Sequence, residues 1–425
     1  MAVVLVGLVA LLFWRPAVGF IALFLLRPAV ELSRAFPDQT IFGASVVQTA
    51  GVGIPILLLL VMFVRRGLTA RVPLIILAVA TALTVPLARG ADTTSVEIWL
   101  RLVTPLPILL FPLLIHWDER EMLWFSRAVG ASVVLVFATL VAGWANPASV
   151  SGGVQVGEDL VIRLSGVFGV AVLTGYWVAI FIGFCVFLGL TETRRSLRWV
   201  YFVAAALLLF PLYATLSRTA WVSIVAAFMA YMMLRGNVRG LLFVAALSAT
   251  ALFAVPSVRL RIFAENFGGT GRGRVWWPAW DAYVDSSIYE KLAGFGWNAI
   301  EGRVRQYVDA EYSMVGTGTT ENSLIYLTLG GGLITLACTI ALWTWAVQRA
   351  LVLRAHGTPG QQRFASFAVA MFAMMFLQGM TGDQIMSPVL VWYFYALLGI
   401  AAAGVRENVE ALSIAPPLLS AKALP

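Results

Sequence analysis

Apolar runs of about 20 residues recur along this chain, each long enough to cross roughly 30 Å of hydrocarbon as a helix. That recurrence excludes most folds at once. A transmembrane barrel would need short segments of alternating polarity, and the long runs rule it out. Only 12% of the 425 residues are charged and 60% are hydrophobic, whereas a soluble domain carries roughly a quarter charged residues. The chain reads as an all-α polytopic membrane protein and a single integral-membrane domain over 1–425.

The predicted spans are 2–26, 41–64, 71–88, 94–115, 122–143, 166–190, 198–216, 219–234, 239–256, 322–347, 363–381 and 387–404. That makes about 12 transmembrane helices, with both ends in the cytoplasm. Arg15-Pro16 interrupts the first. Proline starts helices and breaks their interiors, so two short helices in a hairpin are the alternative there. The net charge of +8 does not call for nucleic acid. Arg65, Arg66 and Arg71, then Arg194, Arg195 and Arg198, then Arg235 and Arg239, then Arg349, Arg354 and Arg363 fall in short loops on one side of the spans. That is the positive-inside pattern. Cys185 and Cys338 each lie in an apolar run and read as packing residues. The tail over 405–425 is expected to be cytoplasmic and disordered.

One polar stretch breaks the pattern. Residues 257–321 form a large extracytoplasmic loop carrying GGTGRGRVWWPAWDAY (268–283) and GFGWN (294–298). TTENSLIYL (319–327) follows at re-entry. Arg272 and Arg274 flank Gly273 after a Gly-rich run, a composition suited to an anion nest, and guanidinium forks match phosphate oxygens in pairs. The closing Lys-Ser/Thr of a Walker loop is missing. Trp276, Trp277, Trp280 and Tyr283 follow at near-helical spacing, as in a helix lying at the headgroup level.

Arg218 sits in TLSRTAWVS (215–223), between two apolar runs at a tight turn. Its bland role is an interfacial anchor; its functional one is an anion contact, since ionisable groups at membrane depth mark substrate paths. Arg163 in IRLSGVFG (162–169) lies at another span end on the same side. Glu321 opens the re-entering helix. It serves either as a helix-dipole partner, with Thr319 or Thr320 as cap, or as a general base. Glu97 and Arg101 at i,i+4 are expected to pair. Asp383 and the pair Asp309 and Glu311 are second-rank candidates. No metal ligand set and no cofactor is expected.

These motifs, in this order and on one membrane face, resemble the O-antigen polymerase and O-antigen ligase superfamily. The matching pieces are RLSGVFG (163–169), SRTA (217–220), RVWWPAW (274–280), GFGWN (294–298) and ENSLIYLTLGGGL (321–333). The resemblance covers about residues 160–345. It implies a GT-C-like membrane glycosyltransferase of the bacterial inner (cytoplasmic) membrane. Its active site would lie on the extracytoplasmic face and take glycan from an undecaprenyl-pyrophosphate carrier. It assigns Arg163, Arg218 and Arg274 to the pyrophosphate, with Arg272 and Asn322 also in the substrate site. Trp276, Trp280 and Trp297 would stack on sugars. Ligases have His before the Asn at re-entry, in the role of activating the acceptor hydroxyl; this chain has Glu321 before Asn322. The chain is therefore read as a polymerase of surface-polysaccharide repeat units, working without a metal by inversion, with a chain-length regulator as a further partner. The alternatives are an O-antigen ligase acting on lipid A-core, and a transporter of lipid-linked oligosaccharide, which would place its polar groups near the midplane of repeated halves.

Overall fold

A computed structural model describes residues 2–36, 40–41, 44–66, 72–145, 150–156, 159–254, 272–308, 322–382 and 387–414. The first nine predicted spans hold twelve helices, in sequence order: α1 (Ala2–Trp14), α2 (Pro16–Leu32), α3 (Val46–Arg66), α4 (Leu74–Thr84), α5 (Thr93–Val103) and α6 (Pro105–Leu113), then α7 (Glu119–Ala131), α8 (Val133–Ala145), α9 (Ala171–Thr191), α10 (Arg195–Ala214), α11 (Arg218–Leu234) and α12 (Val238–Ala254). The polar segment supplies α13 (Arg272–Val284), α14 (Ile288–Ala293) and α15 (Ile300–Arg305), before α16 (Ser323–His356), α17 (Pro359–Gly379) and α18 (Pro388–Ile414).

Among the described residues, eight helical stretches are long and apolar enough to cross a membrane, α5 with α6 and α7 with α8 each counting as one. Leu74–Arg89, Arg218–Leu234 and Val238–Thr250 are apolar but shorter. Helix α17 has the length, but Gln361, Gln362 and Gln378 dilute its apolar run, and Gln361, Ser366 and Gln378 are buried inside the protein. Hydropathy alone does not separate a lipid-facing helix from one that packs against its neighbours.

The first predicted span is two helices. Arg15 leaves helical geometry at φ −132° and ψ 78°, Pro16 opens α2, and α1 packs against α2. At 13 residues, α1 reaches only about 20 Å, short of the hydrocarbon thickness. Helix α2 also runs past Arg27, where an outer loop was expected, and carries Pro28 within it. The last helix continues to Ile414, so the predicted tail starts as helix; residues 415–425 lie outside the described residues.

Fully α-helical the chain is not. The stretch expected as an irregular loop from 144 to 165 holds β3 (Val150–Val156) and β4 (Asp159–Leu164), an antiparallel hairpin with Ser151 opposite Arg163 and a register irregularity between Ser151 and Val154. A smaller hairpin joins β1 (Thr40–Ile41) to β2 (Ala44–Ser45). Because β4 ends in a single 3₁₀ turn at Gly166–Phe168, α9 begins at Ala171, five residues later than the span predicted from 166.

Helices α9 and α18 form the centre, with most of their apolar windows buried. Between them Phe24, Trp177, Phe181 and Phe184 gather edge-on around Tyr393. The described members of the predicted arginine groups collect at one end of the bundle; Arg71 lies outside the described residues. There Arg354 donates from Nε to the Leu234 carbonyl at 2.8 Å. Arg127 meets the buried Glu192 at 2.7 Å, and Thr358 bonds Glu119. The polar segment and the start of α16 lie at the other end, here termed the loop end.

Candidate active site

Four chain segments meet at the loop end, and three of them bring one of the motifs. Arg163 closes β4 and donates from Nε to the Thr215 carbonyl at 2.8 Å. Thr215 caps α10, its hydroxyl bonded to the Leu212 carbonyl at 2.7 Å. Leu216 then takes φ +49°, a left-handed conformation alone among the described non-glycine residues. A leucine there costs roughly 1–2 kcal/mol. Such strain persists only where the surroundings over-determine it. It reverses the chain in three residues, so that α11 starts at Arg218. The arginine from the hairpin and the arginine from the turn are thus brought to one corner.

Helix α17 fixes the same corner. Thr381 donates to the Thr219 hydroxyl at 2.8 Å, one residue past Arg218. One turn deeper Gln378 bonds Ser223 at 3.0 Å, and Tyr176 of α9 donates to the Gln378 carbonyl at 3.3 Å. The start of α16 joins through Asn322. Its Oδ1 accepts from the N–H groups of Leu324 (2.9 Å) and Ile325 (3.2 Å), and its Nδ2 donates to the Met380 carbonyl at 3.0 Å. Ser323 donates to the Gly382 carbonyl at 2.9 Å. Asn322 is buried with both ends of its amide engaged. Expected as a substrate contact, it serves in this structure as the N-cap of α16 and its tie to α17. Glu321 and Asp383, which flank this junction, and Asp309 and Glu311 lie outside the described residues.

The polar segment divides. Arg272 and Arg274 stand in the first turn of α13, so the RGR sequence is helical where a Gly-rich turn was expected; residues 255–271 lie outside the described residues. Along α13, Trp276 is half-buried, while Trp277 and Trp280 are exposed, with Trp280 5.8 Å from Tyr283. The near-helical spacing of these aromatics is that of a helix here, with Trp277 and Trp280 exposed and Trp276 and Tyr283 half-buried.

Trp297, also expected to stack on sugars, is placed differently. It is 1% exposed, donates its indole N–H to the Leu83 carbonyl at 3.1 Å, and stacks on Tyr326 at 6.2 Å. Its surroundings depend on the triplet Gly330–Gly332. At Gly332 α16 breaks, with φ +75° and ψ 178°. The break frees two carbonyls deep in the helix, and the polar segment caps them: Phe295 N–H bonds the Leu329 carbonyl at 2.7 Å and Gly296 N–H the Gly330 carbonyl at 3.1 Å. A kink at membrane depth is tolerated only when its backbone groups find such partners. Gly330 lets the indole lie flat, since a Cβ there would meet Trp297 at 2.4 Å.

Further ties hold this half. Asn298 donates to Asp92 at 2.9 Å, and Asp92 also caps α5 through the Ser95 N–H. Those two contacts, the Ser95 N–H first, keep the Asp92 carboxyl below its ordinary range. Glu290 is likewise lowered, by Ser287 of its capping box first and then by Arg303 and Arg89. The expected Glu97–Arg101 pair is formed at 2.5 Å, half-exposed.

One charged group at the loop end was not anticipated. Arg27 and Glu31 are buried at 1% and 0% exposure and paired at 2.5 Å within α2. The sequence signal was present as i,i+4 spacing directly after an apolar run, but the predicted span ended at residue 26, before both residues.

Residues 203–340 match the family model described as O-antigen ligase. That match, over about a third of the chain, supports the resemblance to the O-antigen ligase and polymerase superfamily. It supports an O-antigen ligase/polymerase-type membrane enzyme. The family's stretch runs from α10 to just past the kink in α16 and takes in Arg218, α13, the GFGWN motif and Asn322. Arg163 precedes it. No curated protein matches the chain.

Proposed function

We propose that the protein is a polymerase of surface-polysaccharide repeat units in the bacterial inner membrane, with a GT-C-like architecture and its loop end outside. It moves a growing glycan from an undecaprenyl-pyrophosphate carrier to a sugar hydroxyl of a second lipid-linked unit. The observation that carries the reading is the corner at Thr215–Thr219, where Arg163 is bonded beside the turn that starts α11 at Arg218. The family match over 203–340 supports the same class.

In this reaction the bond from the anomeric carbon to the phosphate oxygen breaks and its electron pair leaves with the pyrophosphate. Arg163 and Arg218, with Arg274 and Arg272 from α13, stabilise the charge that grows there, more in the transition state than in the bound substrate. The acceptor oxygen attacks the opposite face of that carbon, and Glu321 takes its proton, giving inversion. Trp276 and Trp280 on α13 lie against the sugars. A transporter would leave both lipid-linked substrates chemically unchanged.

The test is chain extension by the purified protein with a defined undecaprenyl-pyrophosphate-linked repeat. Longer glycan and free carrier pyrophosphate are expected. Arg218→Ala should lower turnover by about a hundredfold or more, the size of losing one preorganised charge contact, with membrane insertion retained. Unchanged product length in that variant would overturn the anion-site reading. Glu321→Gln with full turnover would leave Glu321 as a helix-dipole partner only.

A further inference from the structure

A charged relay runs through α2 beneath the Arg163 segment. Glu31 has both carboxylate oxygens occupied: Oε1 accepts from Arg27 Nη1 at 2.5 Å and Oε2 from Arg34 Nε at 2.7 Å. Arg27 is wedged against α18, its guanidinium 4.8 Å from the Trp392 ring. Arg34 reaches the other way. Its guanidinium lies 5.5 Å from the ring of Phe168, which in turn meets Trp177 edge-on at 5.5 Å. Phe168 belongs to the 3₁₀ turn that follows Arg163 by three to five residues. Thr174 bonds the Ser165 carbonyl in the same turn.

Burying ions inside a membrane bundle is costly, and such groups are kept where they do something. As a contribution to stability alone, an apolar trio would do as well or better. What the ions supply here is direction. Glu31 is locked by a buried arginine on one side, so it can hold the half-exposed Arg34 in a single orientation on the other. A planar guanidinium held by its Nε presents its face to an aromatic ring.

We propose that Arg27, Glu31 and Arg34 are positioning residues: they press Arg34 onto Phe168 and so fix the 163–169 segment that aims Arg163. The role assigned to Arg163 rests on the proposed function; the fixing of the segment does not. Arg34→Ala is the informative variant, because Arg27 and Glu31 remain paired and no buried charge is stranded. Glu31→Gln would strand Arg27 and unfold the region.

Hydrogen exchange is measured on the substrate-free protein in detergent. Arg34→Ala should speed exchange across 163–169 by about tenfold, the worth of one strong cation–π contact, and leave 288–300 unchanged. Phe168→Leu should do the same, and Phe168→Tyr should behave as wild type. In chain extension with the undecaprenyl-pyrophosphate-linked repeat, Arg34→Ala should lower kcat by about tenfold alone and by less than about twofold in an Arg163→Ala background, because coupled residues are not additive. Unaltered exchange across 163–169 in Arg34→Ala overturns the proposal, as does full multiplication of the two losses. If Arg163→Ala itself leaves chain extension intact, the function reading fails, and the exchange result still decides whether the relay positions the segment.

Discussion

The two halves of the polar segment share a composition and differ in everything else. Helix α13 turns Trp277 and Trp280 outward, 70% and 56% exposed. Fewer than 20 residues later, Trp297 is sealed between α4 and α16. One half is held by backbone bonds into a broken helix and by side-chain bonds to Asp92. The other offers a ridge of rings. The same residue type thus builds the frame in one place and a surface for contact in the other, and burial decides which.

The largest effect separating them should come from the tryptophans. Trp297→Ala is expected to cost about 3–5 kcal/mol of stability, as for other buried aromatics, read as a large drop in thermal unfolding in detergent. Trp280→Ala should leave unfolding within about 0.5 kcal/mol of wild type and raise KM for the lipid-linked repeat. An equal loss of stability in both would break the comparison.

Next comes the hinge. A Cβ at Gly332 would fall 2.2 Å from the Leu292 carbonyl oxygen, at a φ of +75°. Gly332→Ala should therefore cost at least about 2 kcal/mol, the left-handed penalty plus the clash. Hydrogen exchange should then accelerate over 294–298 and not over α13. If both halves loosen together, they are one unit.

Asn322→Asp is milder. It keeps Oδ1 as the cap of α16 and removes the donor to Met380. A loss of about 0.5–1.5 kcal/mol, the net worth of one hydrogen bond, is expected in the unfolding scan. Asn322→Ala removes the cap as well and should cost more.

The smallest effect is acid sensitivity. Glu290 has its carboxyl held below the ordinary glutamate range, first by the Ser287 N–H. A depressed folded pKa means the stabilisation is complete above the unfolded value and fades as pH falls through the folded one. Exchange over 288–300 should be steady down to about pH 5 and rise below 4.5, with α13 unaffected, once intrinsic exchange is corrected for.

Much of the frame was legible because the bilayer demands it: apolar runs became helices, and the arginine groups gathered at one end. What sequence could not give was depth. Hydropathy assigned 2–26 to one span, while Arg15-Pro16 folds it into two helices and α2 carries a buried ion pair on either side of Pro28. The hairpin over 150–164 alternates weakly and is interrupted by Gly152-Gly153, so it read as loop. For the site, Arg163 and Arg218 were legible as charges at span ends. The bond that ties Arg163 to Thr215, three residues before Arg218, was not, since it depends on a leucine in a left-handed turn that no spacing rule anticipates. Trp297 and Asn322 looked like ligand contacts by type, but their hydrogen bonds go to the protein itself.

The break in α16 also bears on how the protein is made. Residues 294–298 leave the ribosome before α16 does, so the donors for the Leu329 and Gly330 carbonyls already exist when that helix enters the bilayer. Without them the helix would have to straighten or leave two carbonyls bare in lipid, at several kcal/mol each. Insertion of α16 is then a docking event as much as a partitioning one. A chain with 294–298 deleted should stall at that helix, and the carboxyl-terminal pair α17 and α18 would lack the surface on which they assemble.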